Sequence, residues 1–329
     1  RSMSELLRIQ AVVSAVATKT GAQRDDIIEQ LQRTVGTEGT NPAAYKMLQA
    51  IRTVNDRLTA AQRDNPWAAA QASNVIPDAQ TFDASNPESA VDIVRHRMQF
   101  IDGVEQWTGK KESPFQPKEI AQLTKAMQGM QPQVAGPFLG RLGEAIGDAD
   151  RIRLVAAELD KTSRPLSLAL LLGTDRSVAG RAVTEALLRG AQALSDKTAK
   201  RDDAVLTGWR SEIASLVRGT FGPQGAQAEN DVIDAAYFVR AAFDLDGYAP
   251  RGGWFNAQQK TVAAAVKAVA GEPMERSGTK FLLPRDMDAD GFDEALRGFT
   301  PERLRSMLTS DVVYLRGEPV VDVWTGWAD

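Results

Sequence analysis

Cysteine is absent from the 329 residues, and histidine occurs once, as His96. No disulfide, thiolate metal site or cysteine nucleophile can be built from such a chain. A lone histidine removes any multi-histidine metal centre and leaves one candidate for imidazole-based catalysis. Long apolar runs are also missing. The densest, LSLALLLG at 166–173, falls far short of the roughly 20 residues that span a bilayer. The start carries no signal-peptide pattern. It reads RSMSELL, which suggests a trimmed tag or a piece of a longer polypeptide. Neither sign of charge dominates. A net charge of −4 argues against a dedicated nucleic-acid surface.

What remains is ordinary globular composition, 43% hydrophobic and 25% charged, over a length that suits about two domains. The dominant period is helical. Leu6, Ile9, Val12, Val13 and Val16 recur at helix spacing, as do Met47, Leu48, Ile51, Val54 and Leu58. Between them VGTEGTNP (35–42) is a turn, and Asn41-Pro42 suits an N-cap followed by the first helical position. Residues 1–83 are thus expected to form a helical arm that ends in a linker at 72–89. Asn86-Pro87 starts the next helix, with Val91, Val94, Met98, Ile101 and Val104 as its buried stripe.

After a break at TGKKESPFQP (108–117), helices are expected at about 118–130, 135–146, 149–160, 165–173 and 178–194. Gly147, Gly173 and Gly190 sit where helices can end. Further helices follow near 204–220, 228–242 and 256–270. Strand signals come only then: TKFLLP (279–284), and DVVYLRGEPVVDVW (311–324), which reads as a hairpin. The expected fold is mainly α, a multi-helix array with a helical N-terminal arm and a small C-terminal β-hairpin. Its expected parts are 1–83, 84–200 and 201–329.

DMDADGFDEALR (286–297) imitates a calcium loop. Asp286, Asp288, Asp290 and Gly291 fit positions 1, 3, 5 and 6 of an EF-hand. Position 12 is Arg297, where a bidentate Glu is needed, and Pro284 opposes an entering helix. The stretch therefore reads as a helix start capped by Asp286 or Asp288. Asp290, Asp293 and Glu294 would lie near the positive end of its dipole, and Phe292, Leu296 and Phe299 on its buried side.

ESPFQP (112–117) resembles the Glu-Ser-x-Phe-x-Pro stretch around the catalytic acid of lytic transglycosylases. The Gly-Leu-Met-Gln and Ala-Tyr-Asn segments of that family are missing. Lys110 and Lys111 are expected to hold the Glu112 pKa down, the wrong direction for a general acid. His96, flanked by Arg95 and Arg97, reads as a solvated helix position. GTDRSVAG (173–180) lacks the Lys-Ser/Thr of a phosphate loop. DLDGYAPRGGW (244–254) offers Tyr248, Arg251 and Trp254 as an interaction surface, and Trp324 and Trp327 near the chain end are a second possibility. No catalytic, cofactor-binding or metal-ligating residue is expected.

A wider resemblance covers about 84–329. NPESAVDIVRHRMQFIDGVEQWTG, PFQPKEIAQL and GPFLGRLGEAIGD resemble a helical region of large tailed-phage and prophage proteins. AGRAVTEALLRGAQALSDKT, AAYFVRAAF, AVKAVAGE, FLLPRDMDADGFDEAL and VVYLRGEPVVDVW continue it. In such proteins the region is C-terminal, sometimes far downstream of a transglycosylase module. The resemblance implies a virion-associated internal or ejection protein, made in the bacterial host cytoplasm and carried in the virion interior or tail. It implies self-association, or contacts with portal, tail or internal proteins. Two other readings stand beside it: a peptidoglycan-degrading enzyme with Glu112 as acid, and a cytoplasmic interaction protein whose first helices bind a partner.

Overall fold

Proline and short polar side chains set where helices begin. Asn65 and Asn86 each accept a backbone N–H three residues on, from Ala68 and Ser89, and each is followed by proline. The chain is described here by a computed structural model covering residues 3–37, 42–78, 80, 82–83, 85–198, 201–222, 225–248, 257–276, 278–283, 287, 289–297, 314–315 and 318–319. Two units divide it, Arg1–Ala199 and Lys200–Asp329. The stretches read in the sequence as arm and array, 1–83 and 84–200, fall essentially in the first.

That unit holds α1 (Met3–Ala17), α2 (Gly21–Thr37), α3 (Pro42–Asp64), α4 (Pro66–Ala72), α5 (Pro87–Met98) and α6 (Ile101–Thr108). It continues with α7 (Pro117–Gln128), α8 (Pro132–Ile146), α9 (Ala149–Asp160), α10 (Arg164–Leu172) and α11 (Val178–Ser195). Both α1 and α2 pack on α3, while α8 meets α5, α9, α10 and α11. Its sequence explains this central place. Phe138, Leu139, Leu142 and Ile146 are buried on α8, and Gly136 and Gly140 let α11 and the end of α10 approach its backbone. A Cβ on Gly173 would lie 2.9 Å from Ala169 O at the end of α10 and 3.4 Å from Gly140 N of α8, so a side chain there would press on α10's own backbone and touch α8.

Residues 1–72, expected as two or three long helices, hold α1, α2 and α3 before the short α4, and α1 ends before 18–20. Thr20 and Gln23 then form a capping box, each accepting the other's backbone N–H. Of the two readings of 72–89, linker or loop, a packed loop is found, since Ile76 and Phe82 are buried. Gly190 does not end α11. It is buried within the helix.

The second unit packs α12 (Asp203–Val217), α13 (Ala226–Leu245) and α14 (Ala257–Ala270) on one another. Trp209, Ile213, Val239, Val262 and Val266 are buried there. The expected strand is β2 (Thr279–Leu282). It pairs antiparallel with β1 (Pro273–Arg276), Met274 opposite Phe281. A proline and two charges hide β1 in the sequence, but proline is tolerated at the first residue of an edge strand. Helix α15 (Ala289–Arg297) follows, and Phe292 stacks on Phe281 at 5.0 Å. Asp286, Asp288 and Phe299 lie outside the described residues. The expected hairpin consists of β3 (Tyr314–Leu315) and β4 (Glu318–Pro319), paired antiparallel. The architecture is mainly α with a small C-terminal β element. No described helix is long and apolar enough to cross a membrane.

Candidate functional site

Chemistry concentrates around the 109–116 loop. Gly109 closes α6 in the left-handed conformation (φ 78°), its N–H donating to Glu105 O. Lys110 and Lys111 point outward, but Glu112, Ser113, Pro114 and Phe115 are buried. A buried loop must find partners for its backbone polar groups. Trp67 Nε1 donates to Ser113 O at 2.7 Å, and Arg97 Nη1 to Pro114 O at 2.9 Å. Glu112 N donates to Glu105 Oε1 at 3.2 Å.

Arg97 is fully buried. Its guanidinium meets Glu119 through two hydrogen bonds of 2.6 and 2.8 Å and also donates to Gln80 O. Glu119 in turn accepts the Gln116 N–H at the start of α7. One ion pair thus joins α5, the 80s segment, the loop and α7. Such bidentate, charge-assisted bonds fix geometry closely.

A second cation, Arg151 on α9, reaches back to α6. It donates to both Glu105 oxygens at 3.0 and 2.9 Å and to Asp102 at 2.8 Å. Burial opposes the Glu105 charge, yet the Arg151 and Glu112 N–H bonds outweigh it and leave its pKa lowered. Arg24, 1% exposed, is the third. It donates to Asn55, Lys19 O and Gln62, none of them charged, and lies 5.9 Å from the Trp107 ring centre. Trp107 Nε1 donates to Ala17 O at 3.1 Å, so the first helices are fastened to α6.

Two carboxyl groups, Glu112 on the loop and Glu158 on α9, have a raised pKa. Burial pushes Glu112 up, against the pull of Lys110. This reverses the sequence expectation, because Glu112 is only 5% exposed and desolvation outweighs the exposed Lys110 ammonium, 3.3 Å from its Oε1. Glu158 on α9 is raised by burial too. Ser113 and Lys161 oppose that, and the Glu112 charge adds to it. Glu158 Oε2 is buried with no hydrogen bond, while Glu112 Oε1 meets the Lys110 ammonium.

His96 is half-buried rather than solvated. Its ring lies edge-on to Phe100 at 5.2 Å, and its Nε2 is buried without a hydrogen bond. In GTDRSVAG, Ser177 caps α11 by accepting the Gly180 N–H. A cavity of about 290 Å³ beside it is lined by Arg141, Arg176 and Arg181. Arg141 pairs with Glu88 and Arg176 with Glu144. Another, of about 460 Å³, is lined by Met127, Met130, Leu166 and Leu188, and a third, of about 670 Å³, by Arg210, Arg218 and Lys280. Neither Glu112 nor Glu158 lines any of these three.

No known protein family, curated protein or solved structure gives a significant match to this chain.

Of the residues named as an interaction surface, Tyr248 is described. It is 48% exposed, tilts against Phe243 at 4.8 Å and accepts at its carbonyl a bond from Thr261. Arg251, Trp254, Trp324 and Trp327 lie outside the described residues. The tryptophans that sequence reasoning passed over, Trp67, Trp107 and Trp209, are those in the cores. Arg240 stacks 4.1 Å above Trp209. Among the described residues no group of three or more His, Asp or Glu is placed to hold a metal ion.

Proposed function

We propose that this chain is a non-catalytic structural and assembly module of a phage or prophage virion protein, internal to the particle or tail. The observation behind the structural part is the use of its buried charge. Arg24, Arg97, Arg151 and Glu119 are each consumed in fastening one helix or loop to another. The virion part rests on the resemblance over 84–329. The partners that follow are copies of the same chain or portal, tail and internal proteins.

Quantitative mass spectrometry of purified particles, before and after DNA ejection, tests the reading. Peptides present and then lost mark an ejected internal protein. Peptides present and retained mark a fixed component of capsid or tail. Their absence from the particles removes the virion reading.

One observation favours a second reading, a peptidoglycan-degrading enzyme: the raised pKa of Glu112 is the direction a general acid needs. Its burial beneath Lys110 weighs against substrate access. Clearing of a cell-wall suspension by the chain, lost in Glu112→Gln, would establish it. No clearing removes it.

A further inference from the structure

Helix α12 has two faces of different character. Trp209, Ile213 and Val217 are buried in the core of the second unit. Thr207, Arg210, Ser211, Ala214 and Ser215 recur at helix spacing on another face, and Arg218 follows at the helix end. That face lines a groove of about 670 Å³, which Asn230 and Ile233 of α13 and Lys280 of β2 complete. Ser211, Ala214 and Ser215 are small, so the middle of the groove is low. Arg210 and Arg218 are eight positions apart, about 12 Å along the axis.

The charge in the groove is of one sign. Lys280 Nζ donates to Ser215 O at 3.0 Å, which sets a third cation between the two arginines along the helix. Among the described residues no carboxylate lines the groove. The acids around it leave most of this charge unmatched. Asp234 pairs with Arg210, whose guanidinium lies 5.8 Å from the Tyr237 ring centre. Glu275 stands opposite Lys280 in the strand register but makes no ion pair with it. Glu229 accepts the Gly219 N–H. Arg218 is exposed and has no ion-pair partner among the described residues. Thr207, Ser211 and Asn230 add hydroxyl and amide donors. The only apolar side chains are Ala214 and Ile233, and no ring is present to stack a base.

We propose that this groove binds a linear oligophosphate, read through its phosphate chain alone. Guanidinium and ammonium groups are the side chains that hold phosphate oxygens through charge-assisted bonds. A row of three cations along the helix suits a chain of phosphates better than a single one. The site is independent of the virion reading.

Calorimetric titration of the full chain with tripolyphosphate at about 50 mM salt should show one site. ATP should bind within about twofold of it, because nothing in the groove reads a base. Inorganic phosphate should bind at least about tenfold more weakly, having fewer charge-assisted bonds to make. Amide NMR shifts on adding tripolyphosphate should gather at 207–218 and 279–282. Arg218→Gln combined with Lys280→Gln should weaken binding by about tenfold or more. Arg176→Gln combined with Arg181→Gln removes the same charge from the first unit and should change it by less than about twofold. An equal loss in that control, scattered shifts, no heat with tripolyphosphate, or binding of ATP alone would each overturn the site. Tighter binding of a single-stranded oligonucleotide than of tripolyphosphate would replace it with a nucleic-acid surface.

Discussion

Arg97 shows how much one side chain can organise. Its donors reach Gln80 O, Pro114 O and both oxygens of Glu119, and it lies 5.6 Å from the Trp67 ring centre. Removing the cation alone leaves the buried Glu119 carboxylate with the Gln116 N–H but no counter-charge, and takes a donor from two backbone carbonyls. Arg97→Met should therefore cost about 3–5 kcal/mol in urea denaturation. Adding Glu119→Leu should restore part of that loss, because the uncompensated charge goes with it. Arg24 makes a contrasting case. It is buried among neutral oxygens, and burial lowers its pKa against the pull of Asp25. Arg24→Met leaves Asn55 and Gln62 without their donor and should cost about 1–3 kcal/mol. The loss should appear as faster amide exchange in α2 and α3.

At the scale of elements, boundaries follow local chemistry. Asn86 caps α5 by accepting the Ser89 N–H at 3.3 Å. Asn86→Ala should cost about 1 kcal/mol, read as a lower urea midpoint with unchanged slope. Gly173→Ala should cost about 1–3 kcal/mol, since its new methyl meets backbone rather than a side chain that can turn away. Helix positions were legible in the sequence for the same local reason. Asn-Pro pairs, Gly147 and the apolar period placed the start of α5 and the spans of α7 to α14 within a few residues, but the stripe read as one helix from Val91 to Val104 is divided at Gln99 and Phe100 between α5 and α6. The capping box at Thr20 and Gln23 was equally local and readable in TKTGAQ (18–23). The site was less legible. Arg97 and Glu119 are 22 residues apart, and Glu105 and Arg151 are 46 apart. Nothing in the local pattern of either partner announces the other. The Glu112 pKa was misread because neighbouring lysines are visible in sequence and burial is not.

For the whole molecule, opposing groups shape the response to pH. Burial works against the charge of Glu105 and of Asp244, but arginines win, Arg151 for the first and Arg201 for the second. Their stabilisation is present above the unfolded carboxylate range of about 3.9–4.3 and is lost as pH falls through their lower folded values. Glu112 and Glu158 act in reverse. Tm measured from pH 3 to 8 should therefore peak in the mildly acidic range, falling steeply on the acid side and gently towards neutrality. A maximum above pH 7 would contradict this balance. The division into two units gives a further expectation. A 1–199 fragment keeps Arg24, Arg97, Arg151 and their partners, and should unfold cooperatively by calorimetry.

The bond from Trp107 to Ala17 has a meaning for synthesis. Its donor is made 90 residues after its acceptor. A ribosome adding about 5–20 residues per second leaves α1 without that anchor for roughly 5–18 s. Over that interval α1 gains its packing on α3 but not its anchor on α6. Synthesis speed between residues 17 and 107 thus sets how long α1 waits for that anchor.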